Sequence, residues 1–147
     1  MRSFTTQSHV VWDCKYHVVI VPKYRKKKLY GSVRQRIGQI IRKLCEERHV
    51  ELLEGHAMVD HMHLVLRISP RESVADVIGF LKGKSAIRMH YEFGNRKAPT
   101  QKKNFWSRGY FVSTVGIDEE TIRSYVKNQD AQDKREDNNP ALDLYWN

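Results

Sequence analysis

Two histidines one residue apart, His61 and His63, lie in the stretch Val59-Asp60-His61-Met62-His63-Leu64-Val65-Leu66. Alternate side chains of a strand share a face. Met62, Leu64, Leu66 and Ile68 therefore point one way, and His61, His63, Val65 and Arg67 the other. Two imidazoles about 7 Å apart on one strand face can converge on a metal ion. The motif is short, and a pair of histidines on a solvated face explains it equally well. A second group stands in Ile122-Arg123-Ser124-Tyr125-Val126-Lys127-Asn128-Gln129. Tyr125 and Gln129 are four apart, so on a helix they lie on one side, one turn from each other. Ile122, Tyr125 and Val126 could simply be a buried stripe with Gln129 at its edge. In the chemical alternative, the phenol attacks a phosphodiester and forms a covalent phosphotyrosine. The amide oxygen one turn away then completes a metal site that polarises the scissile phosphate. A free tyrosine has a pKa of about 10, so an electropositive site would help it react.

The elements that must position these groups follow from composition and periodicity. At 147 residues the chain fits a single domain with a proper core. Residues 1–8 read as a flexible lead-in and 135–147 as a tail. No apolar run approaches the roughly 18 residues of a membrane span, and no secretory leader is apparent. Cys14 and Cys45 are isolated, which suits a reducing cytoplasm and argues against a disulfide framework or a thiolate zinc site.

The formal net charge is +9. Five basic residues fall within six positions from Lys23 to Lys28, and eight fall between Lys82 and Arg108 against Glu92 alone, whereas the chain from Asp118 onward is acidic. Basic segments of this kind suit a phosphate-binding surface. Interleaved Tyr24, Tyr30, Tyr91, Phe93, Phe105, Trp106 and Tyr110 suit unpaired bases, which stack on aromatics, more than a closed duplex. Lys23, Arg25, Lys82, Lys84 and Arg108 are candidate DNA-phosphate contacts.

Residues 9–21 are rich in β-branched and aromatic types and predict a strand ending before Pro22. Ser32 with Gln35 forms a capping-box start for an amphipathic helix over about 33–48. Strands follow at 50–59 and 61–68, joined near Asp60. Ser73 with Asp76 opens a second helix, Tyr110 to Val115 form a fourth strand, and Asp118 caps a third helix over about 119–134. The order β-α-β-β-α-β predicts an α+β ferredoxin-like fold: one antiparallel sheet, two helices on one face, and an extra C-terminal helix. The helices cover the side of Met62, Leu64 and Leu66. The side of His61 and His63 stays open for the last helix or a second subunit.

Taken together, His61-Met62-His63, Pro22-Lys23-Tyr24-Arg25, Phe80-Leu81-Lys82-Gly83-Lys84-Ser85, Phe105-Trp106, Gly109-Tyr110-Phe111-Val112 and Tyr125-x-x-x-Gln129 carry a resemblance. In this order, over about residues 9–134, the chain resembles the single-tyrosine HUH transposases (TnpA) of the insertion sequence 200/605 family. Ile20-Val21 stand where relatives often carry Trp-Cys, a position outside the catalytic set. The resemblance implies cleavage and rejoining of single-stranded DNA at hairpin-bearing element ends through a 5′-phosphotyrosine. It implies Tyr125 as nucleophile, His61, His63 and Gln129 as metal ligands, Mg2+ or Mn2+ as the metal, an obligate homodimer, and action in the cytoplasm. By residue type alone, two imidazoles favour manganese or zinc over magnesium, which prefers oxygen. Three rivals stand beside this expectation: a non-catalytic single-stranded nucleic-acid-binding module, a water-using metal phosphodiesterase, and a domesticated repeat-associated tyrosine transposase. His56 reads as a surface or supporting residue, Asp60 as a turn residue or an orienting partner for a histidine, and His17 has no evident partner.

Overall fold

The structure, a computed structural model, describes residues 5–7, 10–23, 29, 31–93 and 105–137. Its elements in order are β1 (Thr5–Gln7), β2 (Val10–Trp12), β3 (Lys15–Ile20), α1 (Gly31–Arg48), β4 (Glu51–Ala57), β5 (Met62–Arg67), α2 (Val74–Phe93), β6 (Phe111–Ser113) and α3 (Glu119–Asp137). Arg25, the basic stretches 24–28 and 94–104, and the tail beyond 137 lie outside the described residues.

Alternation along β3 and β5 builds the sheet. Val18 pairs with Leu64 and Ile20 with Met62, while Val19 pairs with His63 and His17 with Val65. Val18, Ile20, Met62, Leu64 and Leu66 face α1 and α2, which contribute Ile37, Ile40, Ile41 and Leu44, and Val77, Ile78, Leu81 and Met89, to a single buried core. The sheet order is β4-β5-β3-β6 with antiparallel neighbours throughout. This is the ferredoxin-like arrangement expected from the element order, with α1 and α2 on one face.

Three differences from the sequence expectation have local causes. Residues 9–21 do not form one strand. The run breaks at Asp13 and Cys14, where the buried Asp13 carboxylate lies 3.2 Å from Arg67 Nε and the Cys14 carbonyl accepts from Ile68 N. The lead-in is structured in part: Thr5–Gln7 pairs antiparallel with Val10–Trp12. Helix α1 starts at Gly31, whose φ of +57° suits a residue without a side chain, rather than at Ser32. The other starts agree with expectation. Ser73 Oγ accepts from Asp76 N at 2.9 Å, and Asp118 Oδ1 accepts from Thr121 N at 2.7 Å.

Strand β4 carries a bulge. Leu52 pairs with Leu66 and Glu54 with Val65, so Leu53 has no opposite number. The extra residue reverses the alternation. Leu52 and Ala57 pack on the core, while His56 is brought opposite His63.

Helix α1 ends with His49 at φ 59°. Val50 N–H donates to the Cys45 carbonyl and His49 N–H to that of Glu46, the Schellman pattern with a left-handed residue at C′. A side chain in that conformation costs about 1 kcal/mol relative to glycine. His49→Gly is therefore expected to raise unfolding stability by about 1 kcal/mol, whereas Leu64→Ala, which empties a fully buried site, lowers it by about 3 kcal/mol. Urea unfolding of both variants checks the two signs together.

Candidate functional site

The outer face of the sheet, away from α1 and α2, holds the candidate residues. Register places them in rows. His56, His63, Val19 and Phe111 form one row across β4, β5, β3 and β6. Glu54, Val65, His17 and Ser113 form the next. His61 stands just ahead of β5. Its Nδ1–H donates to Asp60 Oδ1 at 2.9 Å, the orienting contact anticipated for Asp60. A carboxylate on one ring nitrogen leaves Nε2 as the ligating atom.

Helix α3 lies across this face. Val126 packs on Val19 and Val21, with Phe111, Ile117, Ile122 and Tyr125 around them. A cavity of about 140 Å³ joins Asp60 and His61 to Glu119, Ile122, Arg123 and Val126 of the helix. The expectation that the last helix covers the histidine face is met. Tyr125, however, leans on Phe111, ring centroids 5.8 Å apart. Phe111 and His63 are separated by β3, a span of two strand spacings or about 10 Å. The structure thus brings Tyr125 to the outer face of the sheet while seating it over β6 rather than over β5.

Electrostatics describe a resting arrangement. Burial pushes the Tyr125 phenol up to about 12, and the hydrogen bond from the Gln129 side chain works in the opposite direction. Gln129 Oε1 is buried and accepts no hydrogen bond. An orphaned amide oxygen of this kind is a chemically suitable metal donor. Burial, followed by the neighbouring His17, His56 and His61, lowers the His63 pKa, which favours the neutral form that a metal ligand needs. Among the described residues, no three histidine, cysteine or carboxylate side chains converge closely enough to hold an ion. His61, His63 and Gln129 fit a borderline divalent ion by donor type.

One group escaped sequence reasoning: His17 Nδ1 lies 3.3 Å from His63 Nε2. His56, read from the sequence as a surface or supporting residue, has its ring 6.4 Å from that of His63. The signal for His17 was present, since it shares the alternation of Val19 and Val21, but only the β3–β5 register reveals its neighbour.

The candidate phosphate contacts divide. Lys84 is exposed. Arg108 is part-buried, 3.9 Å from Glu136. Lys82 is not a surface cation: its Nζ is buried and donates to the carbonyls of Ser107 and Gly109 at 2.8 and 2.7 Å. Lys23 is also buried, at 4 % exposure. These residues belong to a polar anchor beneath the C-terminal half of α3. Ser107 Oγ lies 2.6 Å from Asp133 Oδ2 and 3.2 Å from the Pro22 carbonyl oxygen. One hydroxyl hydrogen cannot serve both acceptors. The shorter contact makes the Asp133 carboxylate the acceptor of the Ser107 hydroxyl, a hydrogen bond that works against the effect of burial. Burial pushes Asp133 up to about 6 and Lys82 down to about 7.

Residues 10–129 match the family model described as "Transposase IS200 like". The chain is 44% identical over 127 residues to the transposase for insertion sequence element IS200 of Salmonella typhimurium, covering 86% of this chain and 84% of that protein. It is 30% identical over 120 residues to the ISDra2 transposase TnpA of Deinococcus radiodurans, covering 81% and 86%. A crystal structure of a putative transposase from Deinococcus radiodurans R1 superposes with a TM-score of 0.73 at 30% identity, over 85% of this chain and 97% of that one. A REP-associated tyrosine transposase bound to a REP hairpin shares the fold, with a TM-score of 0.52 at 14% identity over 83% and 68%.

The anchor has a pH signature. Lys82 binds its proton less tightly folded than unfolded, so its contribution makes stability rise with pH between about 7 and 10.5. Asp133 binds its proton more tightly folded, so its contribution makes stability fall as pH rises from 3.8 to about 6. Thermal unfolding across pH, with each variant subtracted from the parent, is expected to lose the upper slope in Lys82→Met and the lower one in Asp133→Asn.

Proposed function

This chain belongs to the IS200-like transposases, and from that premise we propose that it cuts and rejoins single-stranded DNA at hairpin-bearing transposon ends through a covalent bond to Tyr125. The observation that carries this proposal is the placement of α3. The helix that bears Tyr125 and Gln129 packs on the same sheet face as His61 and His63. Membership of a transposase family makes DNA strands the substrate, and no helix among the described residues is long and apolar enough to cross a membrane.

In this mechanism Tyr125 Oη attacks the scissile phosphorus and the bond to the 3′-oxygen breaks. The phenol proton ends on the departing 3′-hydroxyl, and a 5′-phosphotyrosine remains. A 3′-hydroxyl attacking the same phosphorus reverses the step and joins strands, with no energy cofactor consumed. His61, His63 and Gln129 would hold a magnesium or manganese ion, whose chemistry is Lewis-acid polarisation of the phosphate. Asp60 keeps His61 in the tautomer that presents Nε2. In the docked state the phenol is protonated at neutral pH. Burial in this seat opposes the phenolate, so a more electropositive seat would favour reaction. Exposed Lys84 and part-buried Arg108 remain candidate phosphate contacts.

The seating of Tyr125 over β6 supports a site shared between two subunits, the tyrosine of one chain serving the histidines of the other. The protein then works as a homodimer. The 44% identity to an IS200 transposase favours a mobile-element enzyme over a domesticated one.

Incubation with a hairpin oligonucleotide carrying a suicide cleavage site and Mn2+ is expected to give a covalent protein–DNA adduct, absent in Tyr125→Phe and in excess EDTA. Cleavage without an adduct would instead indicate a water-using phosphodiesterase, and binding without cleavage a recognition module. Subunit exchange between Tyr125→Phe and His63→Ala tests the shared site. Each variant is inactive alone, and the mixed dimer is expected to recover adduct formation. A mixture as inactive as its components would place tyrosine and histidines in one chain.

A further inference from the structure

Lys23 and Lys82, two of the anticipated phosphate contacts, are buried, so a surface that holds nucleic acid has to draw its cations from elsewhere. Helix α1 supplies them. Arg34, Gln35, Gly38, Gln39 and Arg42 recur at helical spacing and line one wall of a cleft of about 540 Å³, with β4 at Gly55 on the other wall. Strand β4 is an edge of the sheet.

The chemistry of this wall suits a polyanion. Arg34 and Arg42 are exposed, and among the described residues no carboxylate pairs with either, whereas Arg36 is held by Glu92 at 2.9 and 2.7 Å. Eight residues of helix separate the two free guanidinium groups, a rise of about 12 Å. Over that length one strand of a duplex carries three or four phosphates. Gln39 Oε1 accepts from Arg36 Nη1 at 3.2 Å, which leaves the amide nitrogen as the group able to donate into the cleft. No acidic residue stands in the first turn of α1, so the positive end of its dipole adds to the same field. Gly38 is the independent sign. Glycine inside a helix weakens it, and a Cβ at Gly38 meets nothing within 4 Å. Packing inside the protein does not call for this glycine. A chain laid along the cleft does, because it comes closest to the helix where no side chain stands.

We propose that this cleft seats the sugar–phosphate backbone of a paired nucleic-acid stem between Arg34 and Arg42. Its lining offers donors to phosphate oxygens and contains no phenylalanine, tyrosine or tryptophan on which an unpaired base would stack. The proposal deepens the strand-transfer reading and rests on it for the nature of the partner. It also separates holding from cutting. Tyr125 leans on Phe111 of β6, and β4 and β6 are opposite edges of the sheet, three strand spacings or about 14 Å apart.

The test is fluorescence anisotropy of the full chain in excess EDTA, with a labelled blunt hairpin one helical turn long and with an unpaired strand of equal length. The variants are Arg34→Gln, Arg42→Gln, Gly38→Leu and Lys43→Gln, the last removing an exposed charge of the same helix outside the cleft. Each is first checked for parental thermal unfolding. Arg34→Gln and Arg42→Gln are each expected to weaken stem binding about tenfold and to lower the slope of log affinity against log salt by about one. Lys43→Gln is expected to change stem binding by less than about twofold. Gly38→Leu is expected to unfold at no lower temperature than the parent and to lose stem affinity, a combination that a purely structural role does not produce. The cleft is overturned if the parent does not bind the stem, if the arginine variants or Gly38→Leu bind it as the parent does, or if Lys43→Gln loses as much as they do. Arginine variants that lose the unpaired strand more than the stem overturn the assignment to a paired stem. Adduct formation on an unpaired oligonucleotide carrying the cleavage site is scored separately. A parent that forms no adduct removes the strand-transfer reading, while stem affinity decides the cleft on its own.

Discussion

Val19 stands opposite His63, and Val18 opposite Leu64, in the ladder that joins β3 to β5. This one register assigns every side chain of the two central strands to a face. Leu64, Leu66 and Met62 go to the core beneath α1 and α2, and the imidazoles go to the side that α3 crosses. A slip of one residue would exchange the two sets, putting leucines in water and imidazoles among leucines. The apolar side is so fully buried, with Val18, Leu64 and Leu66 at 0 % exposure, that the slip is forbidden by the hydrophobic term alone. The chemistry of the outer face is thus held in place by the packing of the inner one.

Helix α3 is attached by different means along its length. Its first half contributes Ile122, Tyr125 and Val126 to a small apolar cluster with Val19, Val21 and Phe111. Its second half buries Asp133 and Glu136, which in isolation would be costly. Ser107, Lys23 and the backbone carbonyls held by Lys82 supply the compensating environment. Directional contacts in a low-dielectric setting specify position more than they add net stability. The helix is therefore aimed by its polar half and held lightly by its apolar half, which carries the tyrosine.

Much of this was legible in the residues. The period-two alternation of Met62, Leu64 and Leu66, the helical spacing of Ile37, Ile40, Ile41 and Leu44, and the caps at Ser73 and Asp118 rest on local geometry that a sequence displays directly. The two-layer fold and the histidine face followed from them. What stayed hidden depends on contacts between distant segments. Lys82 reads as one more cation in a basic stretch, and only its position over the Ser107 and Gly109 carbonyls makes it an interior residue. Asp13 reads as part of a strand, and only Arg67 across the sheet explains the break. His17 shares the alternation of Val19 and Val21, but its partner lies 46 positions away, so only the register identifies it.

The unmatched Leu53 in β4 behaves as a phase setting for the rest of that strand. Residues after it face the sides they do only because one position was skipped. Loss of a single codon there would transpose Glu54, Gly55, His56 and Ala57 between oil and water without altering their chemistry. Insertions and deletions, more than exchanges of one side chain for another, are what this margin of the sheet tolerates least. A designer moving β4 into another scaffold has to carry the surplus residue along, or its imidazole arrives on the wrong side.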